Sequence, residues 1–230
     1  MNIALNEKQT ELLKIVEKEL SEFTGHTLDH IERVWKTGME IAATIPEVNL
    51  EVLQIAILMH DIAGMKEEAD NSGNTDHALL GAEITEKILR ELKYPEPVIK
   101  EVKHCVQTHR YRSNFEPKSI EAKILFDADK IDVLGAIGVA RSFMIAGDIH
   151  ESLYSFTPLK EYIADNLVGG KPDGRIKDVS KHTPNLEFET KIVKIPDKLF
   201  TDKGKEIAGV RIKFMQAFFA ELKNEINADI

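Results

Sequence analysis

Residues 51–64 read EVLQIAILMHDIAG. From Val52 to Met59 only Gln54 is polar, so this is a helix apolar on nearly every face, which belongs in the middle of a core. It runs straight into His60 and Asp61. A core helix normally closes on a cap. Here it closes on an imidazole and a carboxylate, two side chains competent to bind a metal. The reading of this stretch decides the rest: it predicts a helical core whose centre has chemistry in it.

Working outward, the flanking segments repeat apolar residues at steps of three and four. EKQTELLKIVEKELSEF (residues 7–23) and TLDHIERVWKTGMEIAATI (27–45) precede the stretch. HALLGAEITEKILREL (77–92) and PEPVIKEVKHCVQTHRY (95–111) follow it. PKSIEAKILFDADKIDVLGAIGVARSFMIAG (117–147) reads as one or two more helices. Asn49, Asp76 and Thr201 stand where N-caps are needed, and Pro95 and Pro97 open a helix. Strand-like alternation is scarce, so the expected fold class is all-α. The expected organisation is a helical core over residues 1–147, a loop-rich insertion or lid over 148–188, and C-terminal helices over 189–230 packing on the core. The lid expectation comes from NLVGGKPDGRIKDVSKHTPN (166–185), a long Gly-, Pro- and Lys-containing stretch.

Composition narrows the partners. A net charge of −9 argues against a nucleic-acid polymer, which needs clustered Lys and Arg, while leaving room for a small phosphate held by a few local cations. The one cysteine, Cys105, admits no internal disulfide and is expected to be a buried small hydrophobe. No apolar run approaches the roughly 20 residues that span a bilayer, and no secretory signal is visible, so a cytoplasmic protein without a membrane partner is expected, as a monomer or homo-oligomer.

Two ligands do not make a metal site. His30 lies beside the apolar stripe of its helix. Asp129 lies beside a core-forming run, crowded by Asp127 and Asp132, and a cation relieves such crowding. HIERV (30–34), LMHDIAG (58–64) and FDADKIDVLGAIGVAR (126–141), in that order, resemble the HD-domain superfamily of metal-dependent phosphohydrolases. The resemblance implies an HD-domain helical bundle in which His30, His60, Asp61 and Asp129 hold a divalent ion (Mn, Mg, Fe, Ni, Co or Zn). It implies hydrolysis of a small phosphoester or phosphoanhydride, with a nucleotide as substrate. Asp61, His77 and His109 are the candidates for catalytic proton transfer. Arg33, His26, Lys130 and Arg110 are the candidates for substrate binding. His104 reads as surface or core, and His150 and His182 as solvated. Two other functions fit the same residues: a di-iron oxygenase using His77 and His109 as further ligands, and a non-catalytic nucleotide-binding module. The doublet is followed by Ile62, Ala63 and Gly64 rather than the Lys or acid common in the family, with acids arriving only at Glu67 and Glu68.

Overall fold

The structure is a computed structural model that describes residues 3, 5–20, 28–70, 74–111, 115–172 and 174–227. The described residues form helices α1 (Glu7–Glu19), α2 (Leu28–Ala42), α3 (Leu50–Met59), α4 (Gly64–Glu68), α5 (His77–Glu91), α6 (Glu96–Thr108), α7 (Ile120–Asp132), α8 (Gly135–Asp148), α9 (Leu159–Asn166), α10 (Pro184–Thr190) and α11 (Asp202–Asn227). Among the described residues there is no strand, only an isolated bridge between Leu167 and Ile176. The all-α expectation holds. Among them, too, no helix is long and apolar enough to cross a membrane.

The caps form where the side chains predict them. Asn49 Oδ1 accepts from the Val52 amide at 3.3 Å, and Asp76 Oδ1 accepts from the amides of Ala78 and Leu79 at 2.9 and 3.3 Å. Thr201 Oγ1 accepts from the Gly204 amide at 3.1 Å. Each satisfies a donor that the first helical turn leaves without a partner.

The chain divides into two compact units, Met1–Asp129 and Lys130–Ile230. In the first, α3 is the central element and packs on α1, α2 and α6, while α5 lies against α6. Val52, Leu53, Ile55, Ala56, Ile57, Leu58 and Met59 are all buried, as a helix surrounded by others requires. Gly38 lets α2 come close: a Cβ there would meet Ile57 Cδ1 at 2.8 Å. Cys105 is fully buried, and burial pushes its thiol pKa up.

In the second unit, α8 packs beside α11, and Phe143, Phe188, Phe218 and Phe219 share ring contacts. The segment 117–147 is two helices because the helix breaks before Gly135, whose φ of +75° is the left-handed region that suits glycine. Arg211 Nη1 donates to the Ile131 carbonyl at 2.9 Å and so closes the end of α7. Within 148–188 the structure places α9, and Tyr162, Leu167 and Leu186 form a small core of their own. His182, read as solvated, is buried instead: the Tyr162 hydroxyl hydrogen-bonds its Nδ1 at 2.5 Å. Its environment is set by a residue twenty positions away, which local polarity does not report.

Gly138 follows in the first turn of α8. A Cβ there would lie 2.1 Å from the Val133 carbonyl oxygen, a clash with backbone that no side-chain adjustment relieves. Gly138→Ala is expected to cost about 2–3 kcal/mol, read as a lower urea midpoint. Gly147 sits on the same helix with nothing within 4 Å of an added Cβ. Gly147→Ala is expected to be neutral or to stabilise by up to about 1 kcal/mol. Equal midpoints for the two variants would show that the turn before α8 yields freely.

Candidate metal centre

Helix ends build this site. His60 is the C-cap of α3 and His109 the C-cap of α6, and both keep right-handed helical backbone. The ring nitrogen Nδ1 of each bonds back three residues, His60 to the Ile57 carbonyl at 2.8 Å and His109 to the Val106 carbonyl at 2.6 Å. These are carbonyls that a helix C-terminus leaves without an amide partner. A carbonyl only accepts, so Nδ1 carries the hydrogen and neutral Nε2 presents a bare lone pair. The opening puzzle has a physical answer: the histidine caps its own helix with one nitrogen and turns the other into the site. Asp61 follows in the turn between α3 and α4.

Six side chains from six places converge. His30 Nε2 lies 3.2 Å from His60 Nε2, 3.5 Å from Asp61 Oδ2 and 3.3 Å from Asp129 Oδ1. His60 Nε2 lies 3.2 Å from Asp61 Oδ2. On the other side, His77 Nε2 and His109 Nε2 are 3.1 Å apart, at 3.7 and 3.4 Å from Asp61 Oδ1. Asp61 therefore offers one oxygen to each pair of imidazoles. Two groups of ligand atoms result, His30–His60–Asp61 and Asp61–His77–His109, each with all its atoms within 4.8 Å of one another. His30, His60, Asp61, His109 and Asp129 are buried, and His77 is part-exposed.

The electrostatics of the two groups differ. Burial opposes a charge on His60, but the Asp61 and Asp129 carboxylates outweigh it and raise the pKa above the ordinary histidine value. Burial dominates at His109 and pushes its pKa down to about 4, against the pull of Asp61. A neutral His109 whose lone pair faces another imidazole nitrogen at 3.1 Å leaves two acceptors opposed, which a cation resolves. Neutral imidazole nitrogens and carboxylate oxygens are the donors that Zn, Mn, Fe or Ni accept. The donor set fits a divalent ion.

The comparisons with known proteins bear on this geometry. The family model described as HD domain matches residues 27–134, the stretch that holds all six side chains. Residues 27–134 are similar to the HD domain. HD domains bind divalent metal ions. The uncharacterised protein YpgQ of Bacillus subtilis (strain 168) is 26% identical over 212 residues, covering 89% of this chain and 86% of that protein. The crystal structure of an HD-superfamily hydrolase from Bacillus thuringiensis is 27% identical, covers 96% of this chain and 98% of that one, and has a TM-score of 0.69. The crystal structure of Bacillus subtilis YpgQ in complex with ADP is 24% identical, covers 94% and 97%, and has a TM-score of 0.66.

The other sequence candidates fall in different places. Arg33 is part-buried on α2, one turn beyond His30, and Lys130 is part-buried on α7, next to Asp129. His26 lies outside the described residues. Arg110, a candidate for substrate binding, pairs with two carboxylates, Glu67 Oε1 at 2.7 Å and Asp76 Oδ2 at 2.8 Å. His104 Nε2 accepts from the Lys118 amide at 3.0 Å and anchors the chain between α6 and α7. Asp132 pairs with Arg141 at 3.4 Å. Glu67 escaped the sequence reading. Its Oε2 meets Nδ1 of His77, and burial, which raises its pKa, is outweighed by His77 and Arg110, which hold it below the usual carboxylate range. Ten residues separate Glu67 from His77 across a polar loop, and no local pattern marks the pair.

Proposed function

We propose that this chain is a metal-dependent phosphohydrolase of small phosphoesters or phosphoanhydrides, with nucleotides as the substrate class. The observation that carries it is the buried cluster in which His30 Nε2 lies within 3.5 Å of His60, Asp61 and Asp129. A divalent ion held there would polarise a phosphoryl oxygen and acidify a water. The hydrolase likeness of the Bacillus thuringiensis protein supports the reaction class, and ADP bound to YpgQ supports the substrate class.

The protein's own groups divide the remaining work. Asp61 lies among four imidazoles and takes the proton that the attacking water loses. His77 is part-exposed beside Asp61, on the side of the centre open to solvent. Arg33 and Lys130, close in sequence to His30 and Asp129, are the cations we assign to the charge on the phosphoryl oxygens.

One observation favours a second cation. Asp61, His77 and His109 form their own ligand group, sharing Asp61 with the first. Two ions would clamp the attacking and the leaving oxygen. The same six ligands suit a di-iron oxygenase, so the metal and the product decide between them.

The test is elemental analysis of the purified protein, paired with phosphate release from a nucleotide panel under Mn, Mg, Co and Ni. Release that depends on the divalent ion and stops with a chelator is expected. Loading should also raise Tm, because an ion that binds only the folded chain stabilises it by about 4 kcal/mol at a thousandfold excess over Kd. Two irons per chain with no phosphate release would replace the hydrolase with the oxygenase.

A further inference from the structure

Three imidazoles of the centre have a described Nδ1 partner, and they are not held in the same way. His60 and His109 are fixed by backbone carbonyls of their own helices. His77 is fixed by a side chain, Glu67. Glu67 sits on α4, a five-residue helix without a side-chain cap at its start, so α4 does little by itself to hold it. Arg110 does. Its Nη2 donates to Glu67 Oε1 at 2.7 Å, and its Nη1 pairs with Asp76 Oδ2 at 2.8 Å. The other oxygen of Asp76 caps α5, whose first residue is His77. The contacts close a ring: Glu67 to His77, His77 through the backbone to Asp76, Asp76 to Arg110, Arg110 to Glu67. Three elements, α4, the start of α5 and the end of α6, meet in it.

We propose that Glu67, seated by Arg110 and Asp76, is the positioning residue for His77, fixing the hydrogen on Nδ1 and aiming Nε2 at His109 and Asp61. The inference rests on the reading of Asp61–His77–His109 as a cation position. The physical reason is that a carboxylate only accepts. Bound to one, Nδ1 must carry the hydrogen, and Nε2 keeps its lone pair for the centre. Without Glu67 the ring is free to take the other tautomer or to turn about its side-chain bonds. Nε2 then carries the hydrogen or leaves the position 3.1 Å from His109 Nε2. Partners one step beyond a ligand set ligand orientation and basicity in this way, and losing one typically costs 10–100-fold in metal affinity.

The turn after Asp61 holds Ile62, Ala63 and Gly64, none of which can bond an imidazole nitrogen through its side chain. Glu67 reaches the centre from one turn further on, through a histidine.

The test uses the full chain with Mn2+ alone and no substrate. In metal-free protein, 15N NMR of the histidine rings reads which nitrogen of His77 carries the hydrogen. The wild type is expected to show Nδ1–H at His77 and to take up two equivalents of Mn2+ by calorimetry. Glu67→Ala is expected to change the His77 tautomer pattern. It should weaken the second equivalent 10–100-fold and leave the first within about threefold. Glu67→Gln keeps an accepting oxygen and should restore most of both. Arg110→Met should fall between Glu67→Gln and Glu67→Ala. An unchanged His77 spectrum in Glu67→Ala overturns the proposal. So does equal weakening of both equivalents, which would mark a general structural loss, and so does a wild type that binds only one. If His77 responds as expected but no nucleotide is hydrolysed, the phosphohydrolase reading fails and the positioning role stands.

Discussion

Asp61→Ala is expected to remove both the metal and the hydrolysis, with kcat/KM falling at least about 10³-fold, or roughly 4 kcal/mol of transition-state stabilisation. Asp61 gives one carboxylate oxygen to each ligand group: Oδ2 faces His30 and His60, and Oδ1 faces His77 and His109. Truncation therefore takes an anionic donor from both positions at once. It also takes the group placed to accept the water's proton. The helices should survive, because Asp61 lies in a turn after α3, whose buried face runs from Val52 to Met59. Asp61→Asn is the stricter variant. It keeps the shape and puts an NH2 donor where the centre needs an acceptor, so it should lose metal and activity while far-UV circular dichroism stays unchanged. Hydrolysis surviving in a metal-free Asp61→Ala protein would sink the mechanism.

How much of this was legible in the sequence depends on the range of the interaction. The helices follow from three- and four-residue apolar spacing, and the caps at Asn49, Asp76 and Thr201 from a single side chain acting on amides two or three residues away. Those are local signals, and they hold. His30, His60, Asp61 and Asp129 stood out as a set because a family order links them, and the structure brings them together. What escaped is side-chain pairing across space. Nothing in the sequence around Arg110 points to Glu67 and Asp76, its carboxylate partners, the first of them 43 positions away in the chain. His182 sits in a Gly- and Lys-rich stretch and still ends buried against Tyr162. Charge and polarity predict solvation only until a partner is found, and partners are a property of the fold.

The contrast between carbonyl-held and carboxylate-held imidazoles has a consequence for robustness. The backbone that fixes His60 and His109 is itself part of α3 and α6, two helices packed on each other in the first unit. No point substitution deletes those carbonyls. The hold on His77 can be deleted by one base change at Glu67. His60 and His109 should therefore tolerate substitution around them better than His77 does.

His60→Ala is the other variant expected to abolish function, by about 10³-fold, and it carries a pH signature that Asp61 variants lack. In metal-free protein the Asp61 and Asp129 carboxylates raise the His60 pKa above 6.5 despite full burial. An incoming ion must displace that proton. Below the raised pKa, Mn2+ affinity should therefore fall about tenfold per pH unit, and above it the affinity should level off. Stability of the metal-free chain takes the opposite sign. A pKa raised on folding stabilises fully below the unfolded value near 6.5; this contribution fades as pH rises through the folded value. From the unfolded value near 6.5 up to the raised folded value, then, the metal-free protein should weaken while ion binding strengthens. Both slopes should flatten in His60→Ala, because the linked proton is gone. Calorimetry of Mn2+ binding in two buffers of different ionisation enthalpy counts the proton released: about one is expected for the wild type near the lower end of that window, and about none for His60→Ala. A wild type that releases no proton, or a variant that keeps the slope, would move the linkage to another group and remove His60 from the ligand set.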